Sequence, residues 1–110
     1  MPALPPATQT DRFWAALDQL TSQSAIRIDG PRGSAHPRFP DFIYPLDYGY
    51  LEGAQAADGN PIDLWRGTLP ADRVTAVICT VDLLKRDTEI KLLIGCSSQE
   101  AVLIERPAMP

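Results

Sequence analysis

The chain has 110 residues, 45% of them apolar, with a formal net charge of −4 and two cysteines. That length suits one domain and not two. The acidic balance argues against a nucleic-acid surface, and no apolar run approaches the roughly 20 residues a membrane span needs. Residues 1–10 lack the basic and apolar regions of a signal peptide, so residues 1–9 read as a disordered Pro/Ala-rich lead-in and residues 10–110 as a single domain, expected in the cytoplasm. An acidic chain that handles an anion needs a metal or a local group of Lys and Arg to offset repulsion.

Taken in order, Thr10 is placed to N-cap a helix over 11–21, with Phe13, Trp14, Leu17 and Leu20 on one apolar face. That face suits packing on the domain or on a second copy, so a homo-oligomer is expected. Residues 24–29 alternate like a strand. Residues 30–40, with three prolines and two glycines, read as a loop. Residues 41–52 form an extended stretch rich in aromatics. Asp58-Gly59-Asn60-Pro61 is a turn, followed by a strand over 62–66. Residues 73–82 are rich in β-branched residues and predict a mostly buried strand. After a polar connection, residues 89–95 make another strand. Ser97 and Glu100 have capping-box spacing for a helix over 98–105. Cys79 and Cys96 fall in apolar segments without CxxC spacing and read as reduced core residues, a disulfide between neighbouring strands being the alternative. Five short strands with a helix at each end predict an α+β fold with a small barrel-like core.

The carboxylates carry the chemical signal. Asp58 and Asp63 flank the turn, Asp82 closes one strand, and Asp87 and Glu89 open the next. If those strands pair near the turn, the carboxylates converge, and like charges gathered so closely call for a hard cation. Mg²⁺ fits, since it takes one or two carboxylates and shares substrate phosphates. The alternative is a solvated turn and an unremarkable strand end. Tyr44-Pro45-Leu46-Asp47-Tyr48-Gly49-Tyr50 offers phenol donors beside a glycine that permits close backbone approach, or else a packed aromatic strand. Arg32 and Arg38 lie in a Gly/Ser loop, where they fork onto phosphate or simply meet solvent. His36, between small residues and proline, reads as a surface residue.

In this order the pieces resemble the family I soluble inorganic pyrophosphatases. Asp29-Gly-Pro-Arg-Gly-Ser34 is similar to that family's Glu-Ile-Pro-Lys-Gly-Ser. Tyr44-Pro-Leu-Asp-Tyr-Gly-Tyr50 resembles its Tyr-Pro-x-Asn-Tyr-Gly-Phe/Tyr, and Asp58-Gly-Asn-Pro-Ile-Asp63 its Asp-Gly-Asp-Pro-x-Asp. The stretch from Val81-Asp82 to Lys91 resembles its Asp-x4-Asp-x-Lys segment. The resemblance implies an OB-like five-stranded barrel with flanking helices and Mg²⁺-dependent hydrolysis of pyrophosphate. It implies metal binding by Asp58, Asp63 and Asp82, completed by Asp87 or Glu89. It also implies phosphate contacts from Tyr44, Tyr48, Lys91 and an arginine, Arg38 or Arg32. The departures are specific. Asn60 stands where the family places an aspartate that orients the attacking water, and an amide cannot take that water's proton. Asp47 replaces an asparagine and is a candidate displaced carboxylate. The stretch from Ser34 to Tyr44 is too short for the family's Lys-Tyr-Glu hairpin. The segment from Asp82 to Lys91 is two residues longer than usual, and the C-terminal Tyr-Lys pair has no counterpart. The rival expectation is therefore a lapsed metal- or phosphate-binding module.

Overall fold

The computed structural model describes residues 6–105, with side chains from residue 11 onward. Seven elements follow one another: α1 (Pro6–Ser22), β1 (Ala25–Gly30), β2 (Asp47–Glu52), β3 (Ile62–Arg66), β4 (Val74–Asp82), β5 (Asp87–Ile94) and α2 (Ser98–Glu105). Helix α1 starts at Pro6, a residue tolerated in a first turn because the N–H it lacks would have no partner there. Thr10 therefore lies within the helix and does not cap it. Residues 6–9 fall within α1, and residues 1–5 of the expected lead-in lie outside the described residues.

The five strands form one mixed sheet in the order β1-β2-β3-β5-β4. All neighbours are antiparallel except β3 and β5, which run parallel. The sheet is open, with β1 and β4 as its edges. Side chains alternate between its two faces. One face gathers Leu51, Leu64, Val74, Leu92 and Ile94, and α1 covers it with Trp14, Leu17 and Leu20. That helix face is thus occupied by the chain's own sheet, with Phe13 half exposed beside Trp14. The Asp18 carboxylate accepts the Val74 N–H at 2.8 Å and ties α1 to the start of β4.

The opposite face has a core of Tyr44, Leu46, Trp65, Leu93, Cys96 and Ile104. Residues 41–46 belong to no strand of the sheet, so only the second half of the expected extended stretch joins it, while Ile43 makes an isolated antiparallel bridge with Ala35. The first half crosses the sheet end and inserts Tyr44 and Leu46. Here Gly49 is needed, because a Cβ would collide with the Arg27 carbonyl across the β1–β2 pair. The capping box forms as its spacing predicts: the Ser97 N–H donates to the Glu100 carboxylate at 2.9 Å, and the Glu100 N–H donates to Ser97 Oγ at 3.2 Å.

Strand β4 departs most from expectation. It is not mostly buried: only Val74 is, and the strand becomes fully exposed from Cys79 onward. The cause is its edge position, together with the end of β3, which pairs with β5 only over Lys91–Ile94. Beyond that point β4 and β5 continue as a two-stranded arm. Both cysteines are free; Cys96 is in the core as expected, whereas Cys79 is exposed on the arm.

Candidate active site

The parallel pairing of β3 and β5 sets Asp63 directly beside Lys91. Strand alternation then carries Glu89 and Asp87 onto the same face along β5, and the antiparallel arm sets Thr80 opposite Glu89 and Asp82 opposite Asp87. The result is a cleft of about 850 Å³ lined by Tyr48, Asp63, Asp82, Lys85, Asp87, Glu89 and Lys91 among others. A smaller depression of about 250 Å³ adjoins it, lined by Asp58, Asn60, Asp63 and Glu89 with their neighbours. Asp63 and Glu89 border both. All five expected metal-binding carboxylates therefore surround one pair of adjoining hollows.

Tyr48 joins this acidic end to the core. Its ring packs against Trp65 at 4.6 Å and Tyr44 at 5.7 Å between centroids. The Lys91 ammonium stands 5.1 Å from the ring centroid, within cation–π range. Its hydroxyl lies near the Asp63 carboxylate. Burial first, then the charges of Asp63 and Glu89, hold this phenol far above the usual tyrosine range. Tyr48 is thus a fixed hydrogen-bond donor at any physiological pH.

The turn is closed by its own side chains. Asp58 accepts the Asn60 N–H at 3.0 Å through Oδ1 and the Asn60 amide Nδ2 at 3.1 Å through Oδ2. Asp82 Oδ1 accepts the N–H groups of Leu84 and Lys85 at 2.9 and 3.0 Å. These bonds, the Lys85 N–H foremost, hold its carboxyl below the usual range. They also shape the arm's turn, in which Arg86 adopts a φ of 59°, and set Lys85 on the cleft.

Other expected residues are placed elsewhere. Asp47 pairs with Arg66 at one end of β2, while Asp63 pairs with Tyr50, three residues further along. At about 3.3 Å per residue that separation is roughly 10 Å. Asp47 instead accepts the Arg32 N–H at 2.8 Å and pins the loop after β1. Arg32 and Arg38 are exposed on that loop and do not line the cleft. Tyr44 is a core residue. His36 is half-buried, stacked 5.9 Å from Tyr44, and its Nδ1 accepts the N–H groups of Arg38 and Phe39. Lys85 and Thr80 are cleft residues that sequence reasoning passed over. The signal available for Lys85 was its place in a four-residue turn between Asp82 and Asp87, which brings a cation to the mouth of an acidic hairpin.

The donor set around the hollows is all oxygen, with neither His nor Cys among the lining residues named above, which is the chemistry of a hard cation. Among the described residues no three acidic, His or Cys side chains stand close enough to form a metal cage unaided. Mg²⁺ does not require one, since it binds through one or two carboxylates and keeps several waters. The Asp63–Glu89 border, shared by both hollows, fits that demand. Compared with known proteins, the chain matches no family model, no curated protein and no solved structure.

Proposed function

We propose that this chain is a divergent pyrophosphatase-like phosphohydrolase that holds Mg²⁺ in its acidic cleft and splits pyrophosphate, or a similar small phosphoanhydride, with water to give two phosphates. The observation that carries this reading is a single cleft combining Asp63, Asp82, Asp87 and Glu89 with the donors Tyr48, Lys91 and Lys85. Carboxylates alone would repel the substrate. Donors alone would bind it without the means to activate water. In this reading the open sheet is an OB-like barrel left unclosed between β1 and β4.

Asp63 and Glu89 would hold the cation, assisted by Asp58 and by Asp82 or Asp87. Bound there, Mg²⁺ would neutralise charge on the phosphates and lower the pKa of a water. Lys91 and the Tyr48 hydroxyl hold phosphate oxygens and take up charge developing on the leaving phosphate. Lys85 contributes from the arm. Asn60 can orient a water but cannot accept its proton, so that proton passes to Asp63. The test is phosphate release from pyrophosphate with and without Mg²⁺, against an Asp58→Asn/Asp82→Asn variant. Metal-dependent turnover that the variant loses supports the reading, and no turnover above the variant ends it.

One observation favours a second reading. The Asn60 amide is turned onto Asp58, which makes the position where the family places an aspartate part of a closed turn. A lapsed enzyme of this kind would bind Mg²⁺ or phosphate in calorimetry without turnover.

A further inference from the structure

The turn that joins β4 to β5 carries two leucines that the fold does not ask for. It begins and ends at Asp82 and Asp87, the last pair of the β4–β5 ladder. Asp82 Oδ1 accepts the Leu84 and Lys85 N–H groups, and Arg86 closes the turn at a φ of 59°. One carboxylate and two backbone donors therefore shape it, and small polar residues would serve at positions 83 and 84. Leu83 and Leu84 stand there instead, 84% and 97% exposed. Adjacent apolar side chains held in water are a cost that a ligand can remove.

Their place limits which ligand. Both leucines line the cleft of about 850 Å³, and so does Lys85 beside them. Tyr48, Asp63 and Lys91 line the same cleft. Lys91 and Asp87 are four residues apart on β5, roughly 13 Å at about 3.3 Å per residue, and the turn lies beyond Asp87. The cleft thus grades from a charged inner end to an apolar rim, with Lys85 at the junction. Pyrophosphate, charged at both ends, would leave the rim bare. A diphosphate that carries an organic group at one end matches both. Leu83 and Leu84 are aliphatic, the cleft's one aromatic ring is Tyr48 at the inner end, and Asp82 Oδ1 is committed to backbone N–H groups. A nucleobase would find neither a ring to stack on nor that oxygen to bond. An aliphatic chain needs neither.

The geometry points to an aliphatic diphosphate as the substrate class of this cleft, with its phosphates between Lys91 and Lys85 and its hydrocarbon on Leu83 and Leu84. This rests on the phosphohydrolase reading above. The oxygen of water bonds to the terminal phosphorus as the bond from that phosphorus to the bridging oxygen breaks. The bridging oxygen leaves with the organic monophosphate. One proton of the water passes to Asp63 and the other stays on the released phosphate.

The test compares isopentenyl diphosphate, pyrophosphate and adenosine diphosphate as substrates of the full chain with Mg²⁺. The expected kcat/KM is about 10-fold higher for isopentenyl diphosphate than for either rival. Leu83→Ser/Leu84→Ser should bring its ratio to pyrophosphate down to about one. Either rival used as well as the aliphatic ester, or a preference that survives both serines, overturns the substrate assignment while leaving the phosphohydrolase reading standing. Turnover of none of the three ends that reading instead. Amide shifts of the wild-type protein then decide the rim by themselves, as they do if the double variant misfolds. Leu83 and Leu84 resonances that move with isopentenyl diphosphate and not with pyrophosphate support an aliphatic site; resonances that stay still, or move equally with both, overturn it.

Discussion

From β3, Asp63 and Trp65 point to the same face of the sheet two residues apart, and from β5 Lys91 and Leu93 do the same beside them. One pair is sealed and the other is wet. Trp65 is 2% exposed and Leu93 fully buried, closed over by Ile104 of α2 and by the inserted Tyr44 and Leu46. Asp63 and Lys91 lie past that cover, on the side from which the β4–β5 arm extends. The same backbone ladder thus serves as packing scaffold at one end and as a charged site at the other, and what differs is the lid. Tyr48 spans the two, its ring in the sealed end and its hydroxyl near Asp63.

Damage at the two ends should therefore separate. The largest effect belongs to the sealed end: Trp65→Ala should lower unfolding free energy by about 3–5 kcal/mol, measured by chemical denaturation. At the wet end, Asp63→Asn should leave stability nearly unchanged while reducing Mg²⁺-dependent phosphate release by on the order of 10²-fold or more. A variant that melts as badly as Trp65→Ala would mean Asp63 belongs to the scaffold. Tyr48→Phe keeps the ring and removes the hydroxyl. It should cost about 1 kcal/mol of stability and weaken phosphate binding in calorimetry, showing both phenotypes in mild form.

The smallest effect is a pH dependence confined to the sealed end. Burial is the main cause raising the Cys96 thiol from 9.0 to about 11, with Glu100 adding to it, and Tyr48 is raised in the same sense. For a group whose folded pKa is raised, its contribution is whole below the unfolded pKa. It is lost as pH climbs through the folded value. Stability should therefore hold up to about pH 9 and decline toward pH 11. Cys96→Ala should remove the earlier part of that decline in a melting series. Exposed Cys79 should meanwhile react with a thiol reagent in the native protein while Cys96 waits for unfolding.

Local chemistry made much of this molecule legible. Ile62–Arg66 and Ser98–Glu105 form where alternation and the Ser97–Glu100 spacing place them, and the Asp58–Asn60 turn closes through its own side chains. These features depend on residues within a few positions of one another, so the sequence by itself determined them. It also determined which carboxylates share a strand face, since alternation is a property of one strand. Only the tertiary structure decided that β3 lies beside β5 and not beside β4, and that choice brings Lys91 next to Asp63 and opens the cleft. The same choice pushed β4 to the edge, exposing Cys79 and an arm whose composition had promised burial. Asp47 went the other way, to the far end of β2, because strand register and not sequence proximity sets its distance from Asp63. Neighbour order is settled by which arrangement buries Leu64, Leu92 and Ile94 under α1 and Trp65 and Leu93 under α2. That is a property of the whole chain, which no short window contains.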